Sequence, residues 1–304
     1  MRSEEQPGGA SQLAGAPISW GVCEVPGWGR QLAAERVLGE MSALGLGATE
    51  IGPAGWLPTD PGALRELLAR HELELVGGFV PFVLHTSDFE PARAEAERTA
   101  RLYAAAGAEV LNAAVVADAA WSPPFPLDDG HWGRLLEHLA RLQELVAAHG
   151  VRLAVHPHAG TLLEAAADVE RLLADSELAV CFDSGHLLIG GFEPAAFARD
   201  HADRIAHVHL KDVDAAVAER LRAGELGLME AVQAGLFRPL GDGDAAIVEV
   251  VRQLREGGYA RWLVLEQDTA ITGQEPPVGS GPVLDVGKSI EFLDTVAPTQ
   301  EEVI

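Results

Sequence analysis

Cysteine is nearly missing from this chain: its 304 residues contain two, Cys23 and Cys181, far apart and in apolar surroundings. That excludes the dense disulfide framework of a small secreted domain and a repeated thiolate metal site, and it leads us to expect a reducing cytoplasm. Basic residues are also scarce. Lys and Arg number 22 against 46 Asp and Glu, a formal net charge of −24. A field of that sign repels polyanions, so nucleic acid and anionic membranes are not expected as partners. No segment approaches the ~18 uninterrupted apolar residues of a membrane span, and the opening MRSEEQPGGASQLAGAP has no apolar centre of signal-peptide length. No glycine-rich GxGxxG follows the first strand candidate, so a dinucleotide fingerprint is absent as well.

What remains is ordinary globular material, 48% hydrophobic and 22% charged, enough for one large core. From Pro17 onward, short β-like runs alternate with longer helical patterns, the signature of parallel βαβ units. The strand candidates are ISWGV from Ile18, ATEI from Ala48, LVGGFV from Leu75, EVLNAAVV from Glu109, RLAVH from Arg152, LAVCFD from Leu178, IAHVHLK from Ile205 and WLVLEQ from Trp262. Between them, apolar residues recur at intervals of three and four, as in Leu135, Leu139, Leu142 and Val146. Asp60-Pro61 and Glu193-Pro194 read as helix starts, and Gly107, Gly150 and Gly257-Gly258 as stops. Eight such units without a break in composition predict an α/β fold, a single (β/α)8 TIM barrel over residues 16–297. Residues 1–15 and 298–304 are expected to be tails. The segment 212–244 lengthens the loop after strand seven, on the face where this fold builds its sites.

Side chains alternate across a strand, so each barrel strand divides into positions facing the axis and positions facing the helices. Assigning the aliphatic positions of strands five to eight to the helices leaves His156, Asp183, His209 and Glu266 inward at the C-terminal ends. Two imidazoles and two carboxylates suit a borderline divalent ion, Mn²⁺ or Co²⁺ first, with Zn²⁺, Fe²⁺ or Mg²⁺ as further choices. The plain alternative is a polar layer of mutually hydrogen-bonded side chains. His186 in DSGH and Lys211 in HLKD fall beside this set and are candidates for proton transfer. Against them stand a helix-start hydrogen bond for His186 and a solvated lysine for Lys211. His158 and Glu164, in HPHAGTLLE, can turn inward too, although Glu164 equally suits the first turn of a helix. Glu50, His85 and Asn112 end strands two, three and four and are substrate-contact candidates. The two cysteines read as small buried hydrophobes.

ISWGVCEVPGW, TEIGPAGWLPTD, LVGGFVPFVLH, VHPHAGTLLE, FDSGHLLIGG, HVHLKDVD and LVLEQD, in this order, resemble the xylose-isomerase-like TIM barrels of the sugar phosphate isomerase/epimerase superfamily. Within it, the chain is most similar to the inosose dehydratases of inositol catabolism. The superfamily's ligand pattern matches Asp183, His209 and Glu266 directly, whereas strand five offers His156 in place of a glutamate. The epimerases use that glutamate with the one on strand eight as opposed acid and base, so the departure weighs against two-base epimerisation. It leaves open whether His156, His158 or Glu164 completes the metal site.

The resemblance implies metal-dependent loss of water from a cyclic polyol ketone such as 2-keto-myo-inositol, through an enolate. Lys211, His186 and Glu164 would handle protons, and Arg238 and Glu50 would reach the substrate. The rival reading on the same scaffold is a ketose or keto-acid isomerase or epimerase. A repair endonuclease of the superfamily conflicts with the charge, and a non-catalytic sugar-binding barrel would turn nothing over. A small-molecule partner and a homo-oligomer complete the expectation.

Overall fold

A computed structural model describes residues 12–296. In chain order the strands are β1 (Leu13–Gly15), β2 (Ala48–Glu50), β3 (Glu74–Phe82), β4 (Val110–Val115), β5 (Arg152–Val155), β6 (Val180–Asp183), β7 (Ile205–Leu210), β8 (Asp212–Val213), β9 (Phe237–Arg238) and β10 (Leu263–Leu265). All but β8 and β9 close into one barrel, in the order β1-β10-β7-β6-β5-β4-β3-β2, with every pairing parallel. This is the (β/α)8 barrel that the alternating pattern predicts. Among the described residues no helix is long and apolar enough to cross a membrane.

The first strand needs correction. ISWGV is not a strand: Pro17–Trp20 form a 3-10 helix that ends at Gly21 in the left-handed region. The barrel strand is Leu13–Gly15, paired with Ala48 and Thr49 on one side and Leu263–Leu265 on the other. The barrel therefore starts within the stretch expected to be a tail, while residues 1–11 and 298–304 of the two expected tails lie outside the described residues. The apolar look of ISWGV comes from Trp20, buried with its Nε1–H donated to Glu40 at 2.8 Å, while Pro17 starts the turn without an N–H to place.

The register fixes the inward faces. Cys181 lies opposite His207 and Asp183 opposite His209; Val264 lies opposite His209, and Asn112 opposite Ala154. Leu153, Val155, Val180, Phe182, Val208, Leu210, Leu263 and Leu265 all pack outward in the main core beneath the helices. Inside, the lower part of the barrel is filled by small residues, Ala14, Ala48, Val76 and Val264 on one side and Val110, Ala154, Cys181 and Ala206 on the other. Larger polar side chains occupy the layer above them. At β3 the chain comes so close to β4 that a Cβ on Gly77, whose φ is +141°, would stand 2.1 Å from the Val110 carbonyl oxygen. Only glycine fits there, and Gly77 lies opposite Glu50 where the β2–β3 register shifts.

The caps follow the sequence signals. Asp60 accepts from Ala63 N–H at 2.8 Å ahead of Pro61, and Glu193 accepts from Ala195 and Ala196 ahead of Pro194. After β7 the chain enters the antiparallel pair β8–β9, with the helices Ala215–Arg222 and Leu228–Gln233 between the two strands. The buried Asp212 carboxylate closes this excursion by accepting from the N–H groups of Gly241, Gly243 and Ala245.

Candidate functional site

A cavity of about 570 Å³ opens at the C-terminal ends of the strands. Glu50, His158, Glu266 and Asp268 line its floor, and Gly227, Leu228 and Met229 bring the β8–β9 excursion to its rim.

Below that floor the polar layer is densely connected. Glu50 Oε1 accepts from His207 Nε2 at 2.9 Å, from His209 Nε2 at 3.0 Å and from Asn112 Nδ2 at 3.1 Å. Burial alone would raise this carboxyl, but the charge of His209 and the hydrogen bonds from His207 and His209 outweigh it and hold Glu50 well below the usual carboxylate range. With Nε2 of His209 donating to Glu50, its Nδ1 faces Glu266 Oε2 at 3.0 Å and Asp183 Oδ2 at 3.4 Å. Asp183, His209 and Glu266 each bring a ligand atom within 4.8 Å of the others. His156, fully buried, places Nε2 3.7 Å from Asp183 Oδ2.

The donor set fits a divalent cation. Asp183 Oδ2 and both nitrogens of His156 are buried without a hydrogen-bond partner, and His209 and Glu266 bring further lone pairs to the same place beside the Lys211 ammonium. Such a cluster is costly unless a cation or protons sit within it. Burial opposes an imidazolium at His209, yet Cys181, Glu266 and Glu50 more than offset it and push the ring well above its ordinary value. Glu266 is held down to about 2 in spite of burial, by His209 and Lys211.

Lys211 is not the solvated lysine of a strand end. It is fully buried, with Nζ 2.7 Å from Glu266 Oε1, 2.7 Å from Asp268 Oδ1, 3.4 Å from Asp183 Oδ2 and 2.9 Å from His186 Nε2. Burial disfavours the ammonium, but Asp183, Asp268 and Glu266 together keep it charged. His186 is pushed the other way, by burial and then by His158 and Lys211, and stays neutral. His158 lies over His186 with ring centroids 3.6 Å apart, and its Nδ1–H is directed to the Ala159 carbonyl oxygen at 2.7 Å. Burial and the neighbouring charges of His156 and Lys211 lower it to about 3, leaving Nε2 as a free lone pair.

The structure thus brings His156, His158, Asp183, His186, His209, Lys211, Glu266 and Glu50 into one centre, and it sets four other sequence candidates apart. His85 packs edge-on against Phe125 at 5.3 Å, away from the cavity lining, because the chain after β3 turns toward the helix layer. Asn112 sits in the middle of β4 rather than at its end, fully buried, and holds Glu50. Glu164 spends its carboxylate on Gly160 N–H at 2.8 Å, within its own loop, and does not line the cavity. The Arg238 guanidinium pairs with Asp214 at 2.9 Å, so β9 draws it off the rim.

Sequence reasoning missed two acids. Asp268 has the inward parity of Glu266 two residues earlier, a signal that was available; burial and the repulsion of Glu266 raise it to about 6. Glu24 lines the cavity from the segment after the first helical turn, and burial, with the charges of Glu266, Asp268 and Glu50 behind it, raises it to about 7. No periodicity marks Glu24, because its segment is irregular. Cys181 lies 3.8 Å from His209 Nδ1, a neighbour the sequence did not suggest, but the thiol is buried below the cavity and burial pushes it up to about 11.

A family model described as xylose isomerase-like TIM barrel matches residues 38–296. The inosose dehydratase of Geobacillus kaustophilus (strain HTA426) is 34% identical over 279 residues, 84% of this chain and 87% of that protein. The rhizopine catabolism protein MocC of Rhizobium meliloti is 32% identical over 285 residues, covering 88% of this chain and 86% of its own length. Among solved structures, an L-ribulose 3-epimerase superposes with a TM-score of 0.69 at 16% identity, over 94% of each chain. The probable 3-DHS dehydratase AsbF from Bacillus anthracis does so with a TM-score of 0.67 at 14% identity, over 93% of this chain and 98% of that one. At these identities the structural matches speak to the fold alone.

Proposed function

The chain belongs to the xylose isomerase-like TIM barrel family, and from that premise we propose that it is a metal-dependent dehydratase of a cyclic polyol ketone such as 2-keto-myo-inositol. The observation that carries this reading is the cluster of Asp183, His209 and Glu266, with His156 Nε2 3.7 Å from Asp183, beside the buried Lys211 ammonium and under a cavity open to a small molecule. The relatives named inosose dehydratase support the choice of reaction.

Asp183, His209, Glu266 and His156 would hold a divalent ion, Mn²⁺ or Co²⁺ in the first instance, which polarises the substrate carbonyl as a Lewis acid. The chain's own groups then account for the protons. The Asp268 carboxylate at the floor, whose carboxyl is raised to about 6 and is mostly ionised at neutrality, takes the proton from the carbon next to the carbonyl, and the C–H electron pair moves into the enolate. Lys211 Nζ, 2.7 Å from that carboxylate, joins it to Glu266 and to His186, and the His158 ring lies tilted against His186. The hydroxyl on the following carbon leaves with a proton from Glu24, whose raised pKa keeps a share of it protonated near neutrality. One water is lost and no redox partner is required. His207 and Asn112 both donate to Glu50, and Glu50 fixes which nitrogen of His209 is presented to the site.

This reading places the enzyme in the cytoplasm, with Cys23 and Cys181 as free thiols. The test is to incubate the Mn²⁺- or Co²⁺-loaded protein with 2-keto-myo-inositol and follow the unsaturated product by ultraviolet absorbance and the loss of one water by mass spectrometry. A substrate recovered as an isomer, with no water lost, would replace the dehydratase by the isomerase or epimerase reading.

A further inference from the structure

The cavity is polar at its floor and, above it, at Glu24. Above Glu50, His158, Glu266 and Asp268 the wall is made by Val25, Trp28, Phe79, Trp121, Pro124 and Met229, among others. Phe79 and Trp121 stack with centroids 6.1 Å apart and planes 15° from parallel. Trp28 has already spent its Nε1–H on the Thr269 carbonyl oxygen at 2.8 Å. Among the described residues no Ser, Thr, Asn, Gln, Arg or Lys lines this cavity, and Glu24 is the one charged side chain of its upper wall.

An unsubstituted polyol ketone carries an oxygen on every ring carbon. Held at the floor, it could pair the oxygens on its lower side, but those facing the upper wall away from Glu24 would be desolvated against carbon with no partner. The cavity of about 570 Å³ also falls in the range of about 300–1,000 Å³ that accommodates drug-sized ligands, more than one six-membered ring needs. We propose that the preferred substrate is a cyclic polyol ketone bearing an alkyl or aryl ether group, with the keto-polyol ring on the floor and the apolar substituent between Trp28, the Phe79–Trp121 pair and Met229. The inference rests on the dehydratase reading for the ring and adds the substituent. A second sugar in that place would need several hydrogen-bonding side chains, and the upper wall offers Glu24.

The test compares binding of three unreactive ligands by calorimetry: myo-inositol, its phenyl ether, and a glucosyl-myo-inositol. Burying a phenyl group against this wall should tighten binding about tenfold or more over myo-inositol, and the glucosyl compound should gain little. Met229→Gln and Trp121→Ala, both at half-buried positions, should each narrow the ratio between phenyl ether and myo-inositol several-fold. Equal affinities, a phenyl ether that does not bind, a preference for the glucosyl compound, or a ratio unmoved in both variants would overturn the proposal. Dehydration of plain 2-keto-myo-inositol with no gain from the phenyl group would overturn the substituent and leave the dehydratase standing. A tightly held phenyl ether, with no water lost from any keto-polyol, would do the reverse.

Discussion

His209 donates its Nε2–H to Glu50 Oε1 at 3.0 Å and so turns its other nitrogen toward Asp183 and Glu266. A buried carboxylate that holds the far side of an imidazole fixes both ring orientation and tautomer, and raises the basicity of the ligating nitrogen. Glu50→Gln keeps an acceptor oxygen but removes the charge. Its expected effect is a loss of about 10–100-fold in affinity for Mn²⁺, read by metal titration. Metal affinity equal to that of the unaltered protein would show that Glu50 serves the substrate alone.

Removing a proposed ligand itself should be more severe. Asp183→Ala and Glu266→Gln should each abolish dehydration and lower metal occupancy, while the barrel still closes, because neither side chain belongs to the apolar core. Metal content by elemental analysis of the purified variants checks this; unchanged content in both would exclude the ligand set.

His156 tests the charge of the centre. Two neutral imidazoles and two carboxylates neutralise a divalent ion, whereas a third carboxylate would leave an excess negative charge and weaken its pull on a carbonyl. His156→Glu should therefore keep the ion, slow dehydration and favour exchange of the substrate's α-proton with solvent deuterium over loss of water. Unaltered metal affinity together with an unaltered ratio of exchange to dehydration would refute the charge argument.

Glu24 predicts a pH dependence with a definite sign. Its carboxyl rises from 4.5 to about 7 on folding, so the folded state holds a proton that the unfolded state has already released. The contribution to stability is complete below about pH 4.5 and is lost as pH rises through about 7. Glu24→Gln has no such loss, so its unfolding temperature should gain on that of the unaltered protein between about pH 5 and pH 8, as calorimetry would record. The alkaline limb of the rate profile near pH 7 should vanish with it, and kcat should fall by about 10²–10⁴-fold. A difference in unfolding temperature that stays constant across this window would place the Glu24 carboxyl at its ordinary value.

Period-two alternation in four strands sufficed to bring His156, Asp183, His209 and Glu266 to one height, because a barrel strand offers a side chain only two directions and the aliphatic neighbours claim the outer one. Alternation of short and long patterns sufficed for the barrel, and Asp60-Pro61 and Glu193-Pro194 for two helix starts, since capping is local chemistry. ISWGV misled because apolar residues alone do not distinguish a strand from a short turn that buries Trp20. The rest depended on residues distant in sequence. Lys211 became a fully buried cation because carboxylates from β6 and from the segment after β10 surround it. Arg238 left the site because Asp214 lies across the β8–β9 pair, and Glu164 because its own loop folds back onto it. Parity along a strand is written into the local backbone and can be read from the chain. Which charges meet, and so which protons stay, is set by distances across the barrel, and these exist only once it has closed.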